Sequence, residues 1–329
     1  MFNSINKKRY SYNLIGDYMS IFFENDIVKT NLIYNYNLMI SNINSLKKKY
    51  PFLKVGKIGK SVLNRLIPYI KIGIGKKQVL YQSAIHANEW ITALLSMKFI
   101  ENFGKAYSED KNIFGYRAKD LFTDCSLYII PMMNPDGVDL VTGCFSEDEK
   151  EYRNAKIISD KYLKIPFPRG WKANINGVDL NLQFPAGWEK SKKIKFSQGF
   201  TSPSPRDYVG KRPIFEPEAI ALYDFTNKKN FRLTISFHSQ GKVIYWRYLD
   251  YLPEKSLEIA KEFSKISGYE LDDTPFVSSF AGYRDWFIKK YNRPAFTVEV
   301  GAGENPLPIL QFNDIYSEIE GIFVLGTIL

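Results

Sequence analysis

Ser83-Ala84-Ile85-His86-Ala87-Asn88-Glu89-Trp90 places an imidazole and a carboxylate three residues apart, after an apolar run and before an amphipathic one. Gln78 to Ile85 reads as a mostly buried strand. From Trp90 onward the apolar residues Ile91, Leu94, Leu95, Phe99, Ile100 and Phe103 recur at helical spacing. His86 and Glu89 therefore fall on a strand-to-helix turn, where side chains at i and i+3 converge. Imidazole nitrogen and carboxylate oxygen are both ordinary zinc ligands.

The motif is short, and a lone histidine beside a core helix is more often structural. Composition changes that balance. The chain holds only two histidines, and the second, His238, closes the run Arg232 to His238, in which Leu233, Ile235 and Phe237 alternate with period two. Both histidines thus end strand-like runs, at the sheet edge where open α/β sheets bind ligands. A His, Glu, His set with water in the fourth position is a catalytic zinc pattern.

At 329 residues, 45% hydrophobic and 16% aromatic, the chain can build a sizeable core. Its net charge of +10 favours anionic partners or simply a lysine-rich, soluble surface. No basic block interleaves with stacking aromatics, which argues against nucleic acid. Cys125 and Cys144 are too few and too far apart for a disulfide framework or a Cys-x-x-Cys site. The first nine residues lack the apolar stretch and small-residue cleavage site of a signal peptide, and nothing approaches a membrane span. The expectation is a cytoplasmic protein.

Residues 1–33 read as an N-terminal extension packed on a catalytic domain spanning 34–329. Tyr36 to Tyr50 is helical in pattern; Phe52 to Ile58 and Leu66 to Ile74 read as two antiparallel strands. The turn between them holds Gly59-Lys60-Ser61, which resembles the end of a phosphate-binding loop. It lacks the opening glycine and is followed by a strand, so a nucleotide site is not expected. Ser126 to Met133 reads as a buried strand closing in the turn Asn134-Pro135-Asp136-Gly137. Residues 144–170 and 189–213 read as surface loops, and Arg169 to Trp188, rich in Gly, Asn, Asp and Trp, as a loop lining a site. Glu216-Pro217-Glu218 opens a helix with acids in its first turn. Lys242 to Trp246 follows the His238 strand, with helices over Leu257 to Ile266 and Tyr283 to Lys290. In Pro294 to Gly301, Glu299 stands in an otherwise apolar strand, where an unpaired carboxylate is costly. Alternating strands and helices, with no linker or repeat, predict one doubly covered α/β domain.

Four features stand together in order: His86-x-x-Glu89, Asn134-Pro135-Asp136-Gly137, Gly177-Val178-Asp179-Leu180-Asn181, and His238 followed by Phe296-Thr297-Val298-Glu299. This set resembles the zinc carboxypeptidase family over roughly residues 35–329. Asn181 to Glu189 and Gly59 to Arg65 look most like its bacterial γ-D-glutamyl-diaminopimelate peptidases, which cut peptidoglycan stem peptides. The resemblance implies a single domain, a mixed eight-stranded twisted sheet with helices on both faces, and one zinc ion. It assigns His86, Glu89 and His238 as metal ligands and Glu299 as the catalytic carboxylate. An oxyanion-stabilising cation matches Lys172, with Arg169 close by.

Two departures bear on substrate. Ordinary carboxypeptidases follow the asparagine matching Asn181 with an arginine that grips a terminal carboxylate; here Leu182 stands in its place. No tyrosine matches the family's flexible active-site tyrosine, Tyr283 lying just beyond, and the base of the side-chain pocket matches Arg284. A guanidinium there suits a carboxylate such as that on diaminopimelate. Asn181, Arg284 and Tyr283 are therefore the expected substrate-binding residues. The leading expectation is a zinc peptidase acting on the γ-D-glutamyl-diaminopimelate bond of a peptidoglycan stem peptide, met as an imported fragment, during sporulation or on lysis. The alternatives are a cytosolic carboxypeptidase for ordinary or polyglutamylated tails, and a catalytically dead binding module.

Overall fold

The runs that read as buried strands lie side by side in a computed structural model, which describes residues 26–329. The strands are β1 (Lys54–Lys60), β2 (Leu66–Ile72), β3 (Lys77–Ser83), a short hairpin of β4 (Asn112–Ile113) and β5 (Tyr116–Arg117), β6 (Cys125–Ile130), β7 (Phe231–Ser239), β8 (Val243–Tyr245), β9 (Glu270–Asp272) and β10 (Ala295–Val300). The helices are α1 (Tyr36–Lys49), α2 (Ile91–Ser108), α3 (Ala118–Asp124), α4 (Pro135–Val141), α5 (Lys150–Ser159), α6 (Trp188–Ser197), α7 (Pro217–Asn227), α8 (Ser256–Ser267), α9 (Tyr283–Tyr291) and α10 (Phe312–Ile328). Eight strands form one mixed sheet in the order β1-β2-β6-β3-β7-β10-β8-β9.

The central strands β6, β3, β7 and β10 run parallel, which explains their near-continuous apolar sequences: each is covered on both faces. One face packs Val79, Tyr81, Ile235, Phe237 and Val298 against α1, α2, α8 and α10; the other packs Leu80, Phe231 and Ala295 against α7 and α9. Phe323 of α10 stacks on Phe99 at 4.6 Å and on Phe237 at 4.4 Å, tying two helices to β7. Full burial of each such ring contributes about 1.5–3 kcal/mol over leaving it exposed.

Several expected loops are elements. Asn134-Pro135-Asp136-Gly137 opens α4 rather than closing a turn: the Asn134 side chain accepts from Gly137 N, and proline occupies the first turn. Within the expected loop 144–170 lies α5, and within 189–213 lies α6; each buries too few side chains to show an apolar stripe. Of the expected extension, residues 1–25 lie outside the described residues. Ile27 and Val28 donate their amides to Glu101 of α2, and Val28 joins the core.

Candidate active site

His86 follows the C-terminal end of β3, and His238 and Glu299 occupy the penultimate positions of β7 and β10, where parallel register sets them opposite each other. Glu89 reaches the same point because His86 caps a 3-10 turn, Ala87–Glu89, that returns the carboxylate beneath the imidazole. His86 Nδ1 lies 2.9 Å from Glu89 Oε1, His238 Nδ1 lies 2.9 Å from Glu89 Oε2, and the two Nδ1 atoms are 3.2 Å apart. Ligands about 2.0–2.1 Å from a tetrahedral zinc are about 3.3 Å from one another, so this donor set fits zinc in chemistry and spacing.

Asp179 fixes the tautomer. Its Oδ1 lies 3.2 Å from His86 Nε2, so the ring donates there and leaves the Nδ1 lone pair facing the other ligands. Burial opposes ionisation of Asp179, but His86 and Lys172 outweigh it and hold the carboxyl far below its usual range. Burial likewise opposes charge on His86, yet Glu89 and Asp179 raise its pKa to about 9. Glu89 is held well below the usual range despite burial, by His86, Lys172 and His238. The surroundings are built to stabilise a cation among these groups.

Lys172 pairs with Glu89 Oε1 at 3.1 Å, and this contact overcomes the burial that would discharge it. Glu299 is half-buried and is raised above the usual carboxylate range by burial and by Glu89, against the pull of His238, Lys172 and His86. Both line a cleft enclosing about 230 Å³, with His86, His238, Asp179, Asn181, Leu182 and Arg284.

The loops carrying these groups are sewn together by the motif residues. Asn134 Nδ2 donates to Ile85 O and Ala173 O, and Ala87 N donates to Lys172 O, so one asparagine clamps the His86 and Lys172 segments. Asp136 accepts from Ser61 Oγ and Leu63 N, while Arg65 pairs with Asp139 at 2.7 Å. Ser61 thus belongs to a structural latch. Glu216 and Glu218 are buried and accept from Asn174, joining the start of α7 to the site loop.

Two expected residues lie elsewhere. Tyr283 is wholly buried, its hydroxyl 3.1 Å from Thr226 Oγ1 and its ring packed on Phe184 and Trp286; as the first residue of α9 it faces the core, not the cleft. Arg169 is exposed and outside the cleft lining, three residues before Lys172 on a segment whose only inward cation is Lys172. Arg284 is 5% exposed, braced by Asp285 and Thr274 Oγ1 and lying 5.7 Å from the Tyr245 ring, so it is a cleft residue and not a solvated helix start. Asn181 spends Oδ1 on Tyr283 N, leaving its amide donors for the cleft.

Sequence reasoning quoted Asp179 in a motif without giving it a role, and passed over Tyr245, Lys195, Arg206 and Asp207, all in the lining. Tyr245 was within reach: it pairs with Thr297 in antiparallel register, so alternation puts it on the face of Glu299. Lys195, Arg206 and Asp207 lay in segments read as loop, without a pattern to raise them.

Comparison with known proteins agrees with this geometry. The zinc carboxypeptidase family matches residues 39–321. The chain is 44% identical over 293 residues to gamma-D-glutamyl-L-diamino acid endopeptidase 1 of Lysinibacillus sphaericus, covering 89% of this chain and 72% of that protein. It is 38% identical to the uncharacterized protein YqgT of Bacillus subtilis, covering 88% and 76%. A carboxypeptidase A from Helicoverpa armigera shares the fold with a TM-score of 0.68 at 20% identity, over 91% of this chain and 74% of that one.

Proposed function

The chain belongs to the zinc carboxypeptidase family, and from that premise we propose that it hydrolyses the γ-D-glutamyl-diaminopimelate bond of peptidoglycan stem peptides. The observation that carries the reading is the convergence of two imidazole Nδ1 atoms, a carboxylate, a second carboxylate and an ammonium at one sheet edge. The named activity of the 44% identical relative supports the choice of bond, as does Leu182 beside Asn181, which leaves a plain C-terminal carboxylate without a guanidinium at that position.

His86 Nδ1, Glu89 and His238 Nδ1 would hold the zinc. When bound, zinc makes water acidic and a nearby carbonyl electrophilic. Glu299 takes a proton from the attacking water and returns it to the leaving amine as the C–N bond breaks and the C–O bond forms. Its raised pKa suits a group that must hold that proton between the two events. Lys172 places positive charge where the carbonyl oxygen becomes anionic. Arg284 receives the distal carboxylate of the diamino acid through a charge-assisted hydrogen bond. Among the described residues no helix is long and apolar enough to cross a membrane; imported fragments, or wall reached at sporulation or lysis, would supply the substrate.

Mass spectrometry of products from the zinc-loaded protein and L-Ala-γ-D-Glu-diaminopimelate peptides tests the reading. Release of L-Ala-D-Glu is expected. Trimming of plain C-terminal residues with that bond intact would move the protein to the ordinary carboxypeptidases.

A further inference from the structure

Arg206 stands in the loop between α6 and α7, its side chain 42% exposed, and it lines the cleft beside Lys172 and Asp179. Its Nε donates to Asp207 Oδ2 at 2.6 Å. Asp207 is held in turn by the buried ammonium of Lys195, 2.6 Å from Oδ1, and its amide donates to Asp179 Oδ2, whose partner oxygen faces His86. Asp207 adopts the left-handed backbone region (φ 66°) to make these contacts. The guanidinium is thus pinned by its inner nitrogen to a carboxylate one step from the metal ligands. Among the described residues its Nη groups have no hydrogen-bond partner.

The cations of this wall share their acids, and Asp179 and Glu299 also act on Lys172. Asp207 answers two cations, Arg206 and Lys195, while Lys172 shares Glu89 with both histidines. Arg206 and Lys172 repel across the cleft. An anion placed between them would gain from both and would meet an unused two-pronged donor, the geometry that favours a carboxylate. Arg284 is braced by a different carboxylate, Asp285, and lies 5.7 Å from the Tyr245 ring. The cleft therefore holds two guanidinium groups on separate carboxylates, and Arg206 is the one linked through Asp207 and Asp179 to His86.

We propose that Arg206 makes the cleft selective for γ-linked acyl groups by binding the free α-carboxylate that a γ-glutamyl residue carries beside the scissile bond. The proposal rests on the γ-glutamyl peptidase reading above. In a γ-linked residue the scissile carbonyl is the side-chain one; the α-carbon is three bonds away and its carboxylate about 5 Å off when extended. An ordinary α-linked peptide offers a neutral amide at that distance. Arg206 and Lys172 reward the first and gain nothing from the second, while Arg284 reads the amine side independently.

The test compares kcat/KM of the zinc-loaded full chain on two substrates sharing the scissile bond: L-Ala-γ-D-Glu-diaminopimelate, and its analogue with the glutamyl α-carboxylate converted to a carboxamide. The wild type is expected to prefer the carboxylate about 10- to 100-fold, the value of one charge-assisted hydrogen bond. Arg206→Gln should bring that ratio close to one, and Arg206→Lys should restore part of it, with zinc content checked in each. Equal wild-type rates on the two substrates would overturn the proposal and leave the peptidase reading standing, without reliance on any variant folding. A preference that survives intact in zinc-loaded Arg206→Gln would also overturn it. Cleavage of neither, with trimming of plain peptides, would remove the peptidase reading and the proposal together.

Discussion

An ionisable side chain on an inner strand is costly unless it is paired or used, and Glu299 has no hydrogen-bond partner among the described residues. Thr297 and Glu299 face the cleft from β10, while Val298 between them faces the core. Exchange of Glu299 for glutamine keeps the shape and removes the proton acceptor. Glu299→Gln should retain zinc by elemental analysis and lose kcat by about 10²- to 10⁴-fold, the usual weight of general acid–base catalysis. His238→Ala should lose zinc and activity together, because it deletes one of three ligands. Near-normal turnover in zinc-loaded Glu299→Gln would end the general-base assignment. At this scale much of the site was legible in sequence. Two histidines at strand ends and a carboxylate inside an apolar run are anomalies that pattern alone exposes. Arg206 and Lys195 were not legible, because a cation in a basic, Ser/Pro-rich stretch is no anomaly until a fold points it inward.

Among the elements, α4 shows how motif residues act at a distance from chemistry. Gly137 lies in its first turn, and a Cβ there would stand 2.7 Å from Ala173 O, the carbonyl held by Asn134. Backbone approach requires glycine at this point, since the Ala173 carbonyl belongs to the segment that carries Lys172. Gly137→Ala should cost roughly 1–3 kcal/mol in urea melts, as overpacking does, and should lower kcat about tenfold or more with zinc retained, because displaced positioning groups lose rate steeply. Lost stability with unchanged kcat would show that the clamp does not position Lys172. The same helix marks where sequence reading failed. Asn-Pro-Asp-Gly carries both turn chemistry and helix-capping chemistry, and only the partners of Asn134 and Asp136 decide between them. Helices α5 and α6 escaped because they bury two or three side chains each. By contrast α10 repeats Ile315, Ile319, Ile322 and Phe323 at helical spacing and was within reach.

Over the whole molecule, the charge of +10 belongs to the surface, for the interior is acidic. Among the described residues, Glu89, Glu101, Asp136, Asp139, Asp179, Glu216, Glu218 and Asp285 are buried against only Lys195 and Arg284 of the strong bases. Most of these acids have a cation or several donors. Glu218 has only neutral donors, its own backbone N–H, Val62 N and Asn174 Nδ2, with Asp136 nearby, and burial raises its pKa to about 8. In the unfolded chain the same carboxyl titrates near 4.5. Between these values the folded protein binds a proton that the unfolded chain does not, so stability from this group is complete below about pH 4.5 and falls as pH rises towards about 8. Glu218→Gln mimics the protonated form and removes the dependence. The melting temperature of the variant relative to wild type should therefore climb steadily between about pH 5 and pH 8.5, by about 2–4 °C for each kcal/mol, and level off above. A difference that stays flat across that range would mean Glu218 is already ionised in the fold. Asn174 and Val62 would then hold a carboxylate, and the joint between α7, the hairpin turn and the site loop would keep its strength across that range.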